Sequence, residues 1–192
     1  MGNENEAPSL FNLYSKRDRS LYRYFDNGVL IDHNLLDLII IGTYAKENDN
    51  FLNKFNFNDE DFKIFSEIKD FFKIKKFVTT PHILTDAIHK INQLLGAKKE
   101  TEVLNYLKDY LTSENFLEIH LEKESLLNNL NLEKFGIADW ATSLCHSIRD
   151  VDCLICKNRA MAKKGKLKNK LAICFEEELK PFYYTYKKSS LN

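Results

Sequence analysis

Three aspartates lie at places in the sequence where side chains can act on a ligand. Asp32 ends the apolar run V-L-I, Asp86 falls in a predicted helix after the second strand, and Asp139 falls at the start of a helix before the fourth strand. Because parallel strands bring these ends to one edge of a sheet, we expect the three carboxylates to converge. Carboxylates held together repel one another, and a hard divalent cation relieves that repulsion. The sequence therefore predicts an acidic site for Mg²⁺ or Mn²⁺.

Each of these residues also has a structural interpretation. Asp32 can cap the following helix through its side-chain oxygen, and Asp139 can complement the positive end of a helix dipole. His82, Asp86 and His89 share one helical face, which can ligate a metal, although surface or capping histidines are commoner. Only the joint placement of the three aspartates favours a functional site.

Five short apolar segments predict the strands of the sheet that positions these residues. They cover residues 29–32, 76–79, 116–121, 152–156 and 171–175. Segments with helical spacing alternate with them: residues 34–44, 58–72, 80–96, 98–111 and 123–135, and a further helix that begins after Gly136. This alternation predicts an α/β fold, a three-layer α/β/α sandwich with a mainly parallel central sheet. No glycine-rich phosphate loop is present, which disfavours a nucleotide-binding Rossmann enzyme.

Length and composition indicate one soluble domain. The chain has 192 residues, of which 44% are hydrophobic, and its 28 basic and 28 acidic residues balance, so no overall field attracts nucleic acid. We expect an N-terminal arm at 1–27, a domain at 28–180 and a tail at 181–192. No membrane-spanning run or secretory signal is visible, which predicts a cytoplasmic protein without membrane contact.

The four cysteines include one closely spaced pair. Cys153 and Cys156 are separated by Leu154 and Ile155, a sequence typical of a strand rather than of a chelating turn. Residues three apart in a strand point to opposite faces. We therefore expect buried thiols here rather than a zinc site.

Taken in order, four short motifs resemble those of a PIN domain. They read I-D-x-N, T-P-x-x-L-x-D, F-G-I-A-D-W-A and L-I-C-K-N-R-A, and the resemblance covers residues 29–175. It implies a PIN-like fold and metal-dependent hydrolysis of phosphodiester bonds in RNA by an endoribonuclease. It also implies that Asp32 and Asp139 bind the metal directly, and that Asp86 is a ligand or a base that positions water. Asn34 and Asn158 would be auxiliary groups.

Two positions depart from the pattern of the family. Asp86 stands where the longer Glu is usual, and Asn158 stands where the family has a fourth acid. An amide offers a carbonyl oxygen but no charge, so the site has one negative charge fewer. The alternative function is therefore a catalytically impaired PIN-like module that binds RNA or a protein partner.

Basic residues follow the fourth strand, where they can meet the phosphates of a substrate. Lys157, Arg159, Lys163 and Lys164 are the predicted substrate-binding residues, although a run of charge is more often a solvated loop. Small members of the family are often toxins neutralised by an antitoxin peptide, and many form homodimers. The resemblance therefore implies an RNA substrate, a toxin role with an antitoxin or other protein partner, and a homodimer.

Overall fold

A five-stranded parallel β-sheet forms the centre of the protein. The computed structural model describes residues 10–15, 19–45, 51–113, 115–128, 136–148, 151–157, 159–165 and 170–187. The strands are β1 (Val29–Ile31), β2 (Phe77–Thr79), β3 (Phe116–Glu118), β4 (Cys153–Cys156) and β5 (Leu171–Cys174). Their order is β3-β2-β1-β4-β5, and all four neighbouring pairs are parallel. The predicted three-layer α/β/α sandwich is confirmed.

Helices connect the strands and cover the sheet. Those described are α1 (Leu10–Ser15), α2 (Arg23–Asp26), α3 (His33–Ala45), α4 (Phe51–Lys54), α5 (Asp59–Phe71), α6 (Pro81–Leu95), α7 (Ala97–Leu111), α8 (Lys123–Asn128), α9 (Ile137–Ile148), α10 (Arg159–Gly165) and α11 (Lys180–Phe182). A 3-10 turn at Arg19–Tyr22 precedes α2, and π-helical turns at Phe175–Leu179 and Tyr183–Lys187 flank α11. The predicted helix at 123–135 is observed as far as residue 128, and its remainder lies outside the described residues.

Local sequence signals fix where the two longest predicted helices begin. Asn58 and Asp61 form a reciprocal capping box at the start of α5, in which each side chain accepts a hydrogen bond from the backbone N–H of the other residue. At the start of α6, the Thr80 hydroxyl accepts a hydrogen bond from the backbone of Ile83, and Pro81 occupies the first helical position. These caps set the point at which α6 leaves the sheet, and therefore the place of Asp86.

The strand order reverses direction between β1 and β4. The two strands are neighbours, with Leu30 in register with Leu154, yet the chain leaves β1 toward β2 on one side and leaves β4 toward β5 on the other. In open α/β sheets such a reversal opens a crevice beyond the carboxyl ends of the two strands, and ligands bind there. Asp32 lies at this point because it directly follows β1.

The two ends of the described chain pack on the same core as the sheet. Leu10, Leu21 and Phe25 from the predicted arm and Phe182 from the predicted tail are all buried in it. The ring centroids of Tyr14 and Phe182 are 4.9 Å apart in an edge-to-face contact. Aromatic packing thus joins both ends to the domain.

The thiols of β4 are buried and free of disulfides, as the sequence predicted for Cys153 and Cys156. Among the described residues, none of the helices has the length and apolar character needed to cross a bilayer.

Candidate active site at the carboxyl ends of β1 and β4

Asp32 is held rigidly at the reversal point of the sheet. Its side chain is 1% exposed. One carboxylate oxygen accepts a 2.9 Å hydrogen bond from the backbone N–H of Leu35, which is the helix cap that the sequence allowed. The other accepts a 3.0 Å bond from the backbone N–H of Lys157, directly after β4. The carboxylate therefore bridges both sides of the crevice while keeping further lone pairs.

Asp86 and Asp139 meet at the imidazole of His33. The Nδ1 atom of His33 lies 3.7 Å from an Asp86 oxygen and 3.6 Å from an Asp139 oxygen. The Asp86 and Asp139 oxygens can therefore be no farther apart than the sum of these two distances. That sum is well below about 10 Å, the largest separation of carboxylates that one or two ions can bridge. Asp86 comes from the second turn of α6 and Asp139 from the first turn of α9. The three helices α3, α6 and α9 thus bring these side chains together.

The pKa values of two of the acids reflect burial and mutual repulsion. Burial raises the pKa of Asp32, and the charge of Asp139 raises it further, against the lowering by His33 and by the N–H donors of Leu35 and Lys157. Burial also raises the pKa of Asp139; nearby Asp86 adds to the rise, and His33 opposes it. Among the described residues, no Lys or Arg side chain pairs with Asp32, Asp86 or Asp139. The negative charge here is not neutralised by a neighbouring lysine or arginine.

An open pocket of about 560 Å³ adjoins the acids. Its lining comes from the start of α3, from α6 and from the start of α9: His33, Pro81, His82, Thr85, Asp86, His89, Gly136, Ile137, Ala138 and Asp139. Its volume falls within the range of small-molecule sites in proteins. The helical face of His82, Asp86 and His89 that the sequence indicated is therefore one wall of this pocket.

Asn34 forms a hydrogen bond with a lysine of α6. Its side-chain oxygen accepts a 3.1 Å hydrogen bond from the Nζ atom of Lys90, which also donates a 2.7 Å bond to buried Asp37. Lys90 lies on α6, one turn beyond Asp86. The Asn34–Lys90–Asp37 contact thus connects α6 to α3.

Two of the predicted substrate-binding residues are engaged within the protein. The Nζ atom of Lys157 donates a 2.7 Å hydrogen bond to the carbonyl of Asn56 and lies 3.7 Å from the centroid of the Phe57 ring. Arg159 pairs with Glu177 at 3.0 Å on the surface. Lys163 is exposed on α10. Asn158 and the side chain of Lys164 lie outside the described residues.

His33 is the site residue that the sequence analysis missed. The motif I-D-x-N gave it no role, yet its Nδ1 atom is buried and has no hydrogen-bond partner among the described residues. Its position directly after Asp32, at the first residue of a helix that starts in the crevice, was the available signal. In this arrangement, no group of three or more His, Cys, Asp and Glu side chains within the described ranges forms a ready-made metal-ligand set. Comparison with protein-family models, with curated proteins and with solved structures gives no match.

Proposed function

We propose that this protein is a divalent-cation-dependent nuclease that hydrolyses phosphodiester bonds in RNA. The observation that carries the proposal is that Asp86 and Asp139 meet at His33, which directly follows buried Asp32 at the reversal point of the sheet, with no Lys or Arg partner for these acids among the described residues. The resemblance of the sequence motifs to a PIN domain supports the same activity. A toxin role, an antitoxin or other protein partner and a homodimer belong to this proposal and rest on the resemblance alone.

The donor chemistry of the site fits a divalent cation. Carboxylate oxygens are the ligands that Mg²⁺ and Mn²⁺ prefer. Burial raises the pKa values of Asp32 and Asp139 more than their neighbours lower them, so a bound cation would favour the ionised forms. The Nδ1 atom of His33 is a buried polar atom without a partner, directed at the same acids. A cation held by these groups would stabilise the ionised carboxylates and would give the Nδ1 atom of His33 a partner.

Asp32 and Asp139 would hold the cation, and Asp86 would hold it or position a water molecule. A bound divalent cation supplies an activated water for in-line attack and stabilises the leaving oxygen. The two backbone hydrogen bonds to Asp32 keep its carboxylate in place without reorganisation. Asp86 has a side chain 49% exposed, so it can turn toward an incoming substrate.

The pocket beside the acids would hold the nucleotide next to the scissile bond. His82, Thr85 and His89 supply polar groups along α6, and Ile137 supplies an apolar surface. Lys163 on α10 remains available for a backbone phosphate, whereas Lys157 and Arg159 must first leave their partners in the protein. Among the described residues beside the site, few basic side chains are thus free to bind phosphate.

The test is cleavage of a mixed pool of single-stranded and structured RNA by the purified protein. The reaction is run with Mn²⁺, with Mg²⁺ and with chelator, and with the variants Asp139→Asn and Asp86→Asn. Asp70→Asn, an exposed acid on α5, is the matched control. We expect metal-dependent cleavage by the wild type and by the control, and its loss in Asp139→Asn. RNA binding without metal-dependent cleavage would refute the nuclease and support the impaired binding module instead.

A further inference from the structure

His33 stands between two carboxylates without forming a hydrogen bond to either. Its Nδ1 atom is buried and unpartnered among the described residues, although Asp86 and Asp139 lie on two different sides of the crevice at 3.7 and 3.6 Å. An N–H donor and a carboxylate normally approach to about 2.7–3.2 Å. The imidazole therefore lies beside both acids, and its Nδ1 atom is still able to bind a ligand.

The observed distances are close to those between ligands of one metal ion. Two donor atoms that each lie about 2.1 Å from an ion are about 3.0 Å apart at octahedral angles and about 3.4 Å apart at tetrahedral angles. Mg²⁺ and Mn²⁺ prefer octahedral coordination, and the distances of 3.7 and 3.6 Å from His33 Nδ1 exceed the octahedral value by about 0.6–0.7 Å. Asp139 is 27% exposed and Asp86 is 49% exposed, so small rotations of either side chain close the difference.

We propose that His33 is a nitrogen ligand of the site and that it makes the site select a first-row transition ion such as Mn²⁺ over Mg²⁺. This inference rests on the proposed cation-dependent function. Mg²⁺ is a hard ion that takes oxygen ligands, whereas imidazole nitrogen binds first-row transition ions well. A mixed set of His33, Asp86 and Asp139 beside buried Asp32 discriminates between the two in a way that an all-oxygen set does not.

Two other histidines in the pocket provide matched controls. His82 and His89 line the same wall, but neither lies within ion-pair distance of an acid among the described residues. His89 Nε2 instead lies 2.9 Å from the side-chain nitrogen of Gln93. His33 thus differs from them by its contact with Asp86 and Asp139.

The test measures which atoms touch bound Mn²⁺ in the full chain. Electron spin echo envelope modulation detects nitrogen coupled to Mn²⁺, and labelling histidine with ¹⁵N identifies the imidazole without any substitution. Affinity for Mn²⁺, and for Mg²⁺ by competition, is measured on wild type, His33→Asn, His82→Asn and His89→Asn. Circular dichroism and the thermal midpoint establish that each variant is folded.

We expect a histidine nitrogen coupling in the wild type that disappears in His33→Asn and persists in the two controls. The same substitution should weaken Mn²⁺ binding by roughly 10- to 100-fold and Mg²⁺ binding much less. Bound Mn²⁺ without nitrogen coupling, or coupling that persists in His33→Asn, would overturn the inference.

Cleavage of RNA by the same samples separates this inference from the proposed function. Mn²⁺ bound through oxygen alone together with RNA cleavage means that His33 is not a ligand while the nuclease stands. Nitrogen coupling through His33 without RNA cleavage means that the metal site stands while the nuclease fails. A wild type that binds no Mn²⁺ refutes both.

Discussion

Asp32 and Asp37 flank the first turn of α3, and both are buried, but their surroundings differ. Asp37 is fully buried and pairs with Lys90 at 2.7 Å. Burial raises the pKa of Asp37 to about 7 even with this lysine beside it. Asp32 has backbone N–H donors in place of a lysine, and its further neighbours are His33 and Asp139. One acid thus pairs with a lysine that the fold supplies, and the other has only backbone donors and a neighbouring histidine.

The difference separates a structural acid from a functional one. Asp37 has its cation within the protein, although one of its oxygens has no hydrogen-bond partner among the described residues and a buried ion pair adds little net stability. Acids clustered in a crevice without a lysine or arginine are costly to keep ionised, and such costs concentrate at sites that bind or catalyse. Burial does not distinguish Asp32 from Asp37, because both are buried. The groups that contact each carboxylate do distinguish them.

The largest expected effect is on catalysis and separates these two acids directly. Asp32→Asn should lower the rate of RNA cleavage at least about 1,000-fold, which is about 4 kcal/mol of activation free energy. Asp37→Asn should leave the rate close to that of the wild type. The new amide in Asp32→Asn must face one N–H donor with its own NH₂ group, so we also expect a stability loss of about 1–3 kcal/mol. Equal cleavage by both variants, measured below their melting temperatures, would remove the distinction.

The next effect is on stability and tests the built-in counter-charge. Lys90→Met leaves Asp37 buried without a cation and should cost about 3 kcal/mol at pH 8. The pKa of Asp37 in the folded protein is raised to about 7, so its contribution is most favourable at low pH and is lost as pH rises through 7. The cost of Lys90→Met should therefore shrink at pH 6, where the carboxyl takes up a proton. Urea unfolding at both pH values measures this change.

A double variant controls for the packing of the Lys90 chain. Asp37→Leu combined with Lys90→Met removes both charges together and should recover most of the lost stability. An equal loss for Lys90→Met at pH 6 and pH 8 would mean that the pair does not act through the charge of Asp37.

A smaller effect comes from a buried histidine away from the acids. His146 is fully buried beside Lys170 and the backbone of Asp152 and Leu171. Burial and then the charge of Lys170 lower its pKa to about 4, against a weaker opposite effect of Asp152. The unfolded chain therefore binds a proton first as pH falls, and the folded protein should lose about 2 kcal/mol between pH 6.5 and 5 from this residue.

The variant His146→Leu should show a smaller loss over the same pH range. Unfolding by urea at several pH values gives the difference between the two proteins. An identical pH dependence would show that His146 does not titrate as its burial implies.

The smallest effect concerns the surface pair of Arg159 and Glu177. Both side chains are largely exposed, so Arg159→Gln should change stability by less than about 0.5 kcal/mol. If Arg159 contacts a phosphate, the same variant weakens RNA binding. It also reduces the slope of log affinity against log salt concentration by about 1. Glu177→Gln, which frees Arg159, should strengthen RNA binding slightly. Unchanged RNA affinity in both variants would exclude Arg159 from the interface.

Much of the fold follows from sequence signals that act locally. The capping residues Asn58 and Thr80 fixed two helix starts, and the apolar segments marked all five strands. The third strand was predicted at 116–121 but ends at Glu118, where the N–H of Ile119 donates its bond to Thr79 and the chain leaves the sheet. This strand lies at an edge, so no second neighbour keeps it extended.

The acids of the site were predictable, but their contacts were not. Strand ends and helix starts placed Asp32, Asp86 and Asp139 at one edge of the sheet. The contact of His33 with two of them depends on how α3, α6 and α9 are rotated against one another, which tertiary packing decides. Lys157 was expected to face phosphate, but the nearby carbonyl of Asn56 and the face of Phe57 hold its ammonium group instead.

Calorimetric titration of Mn²⁺ into wild type, Asp139→Asn and Asp37→Asn tests most directly whether the acids without a lysine or arginine partner bind a cation. We expect wild type and Asp37→Asn to bind Mn²⁺ with the same affinity, and Asp139→Asn to bind it at least about tenfold more weakly. Equal affinity in all three proteins, or no binding by the wild type, would contradict a cation site at the reversal point of the sheet.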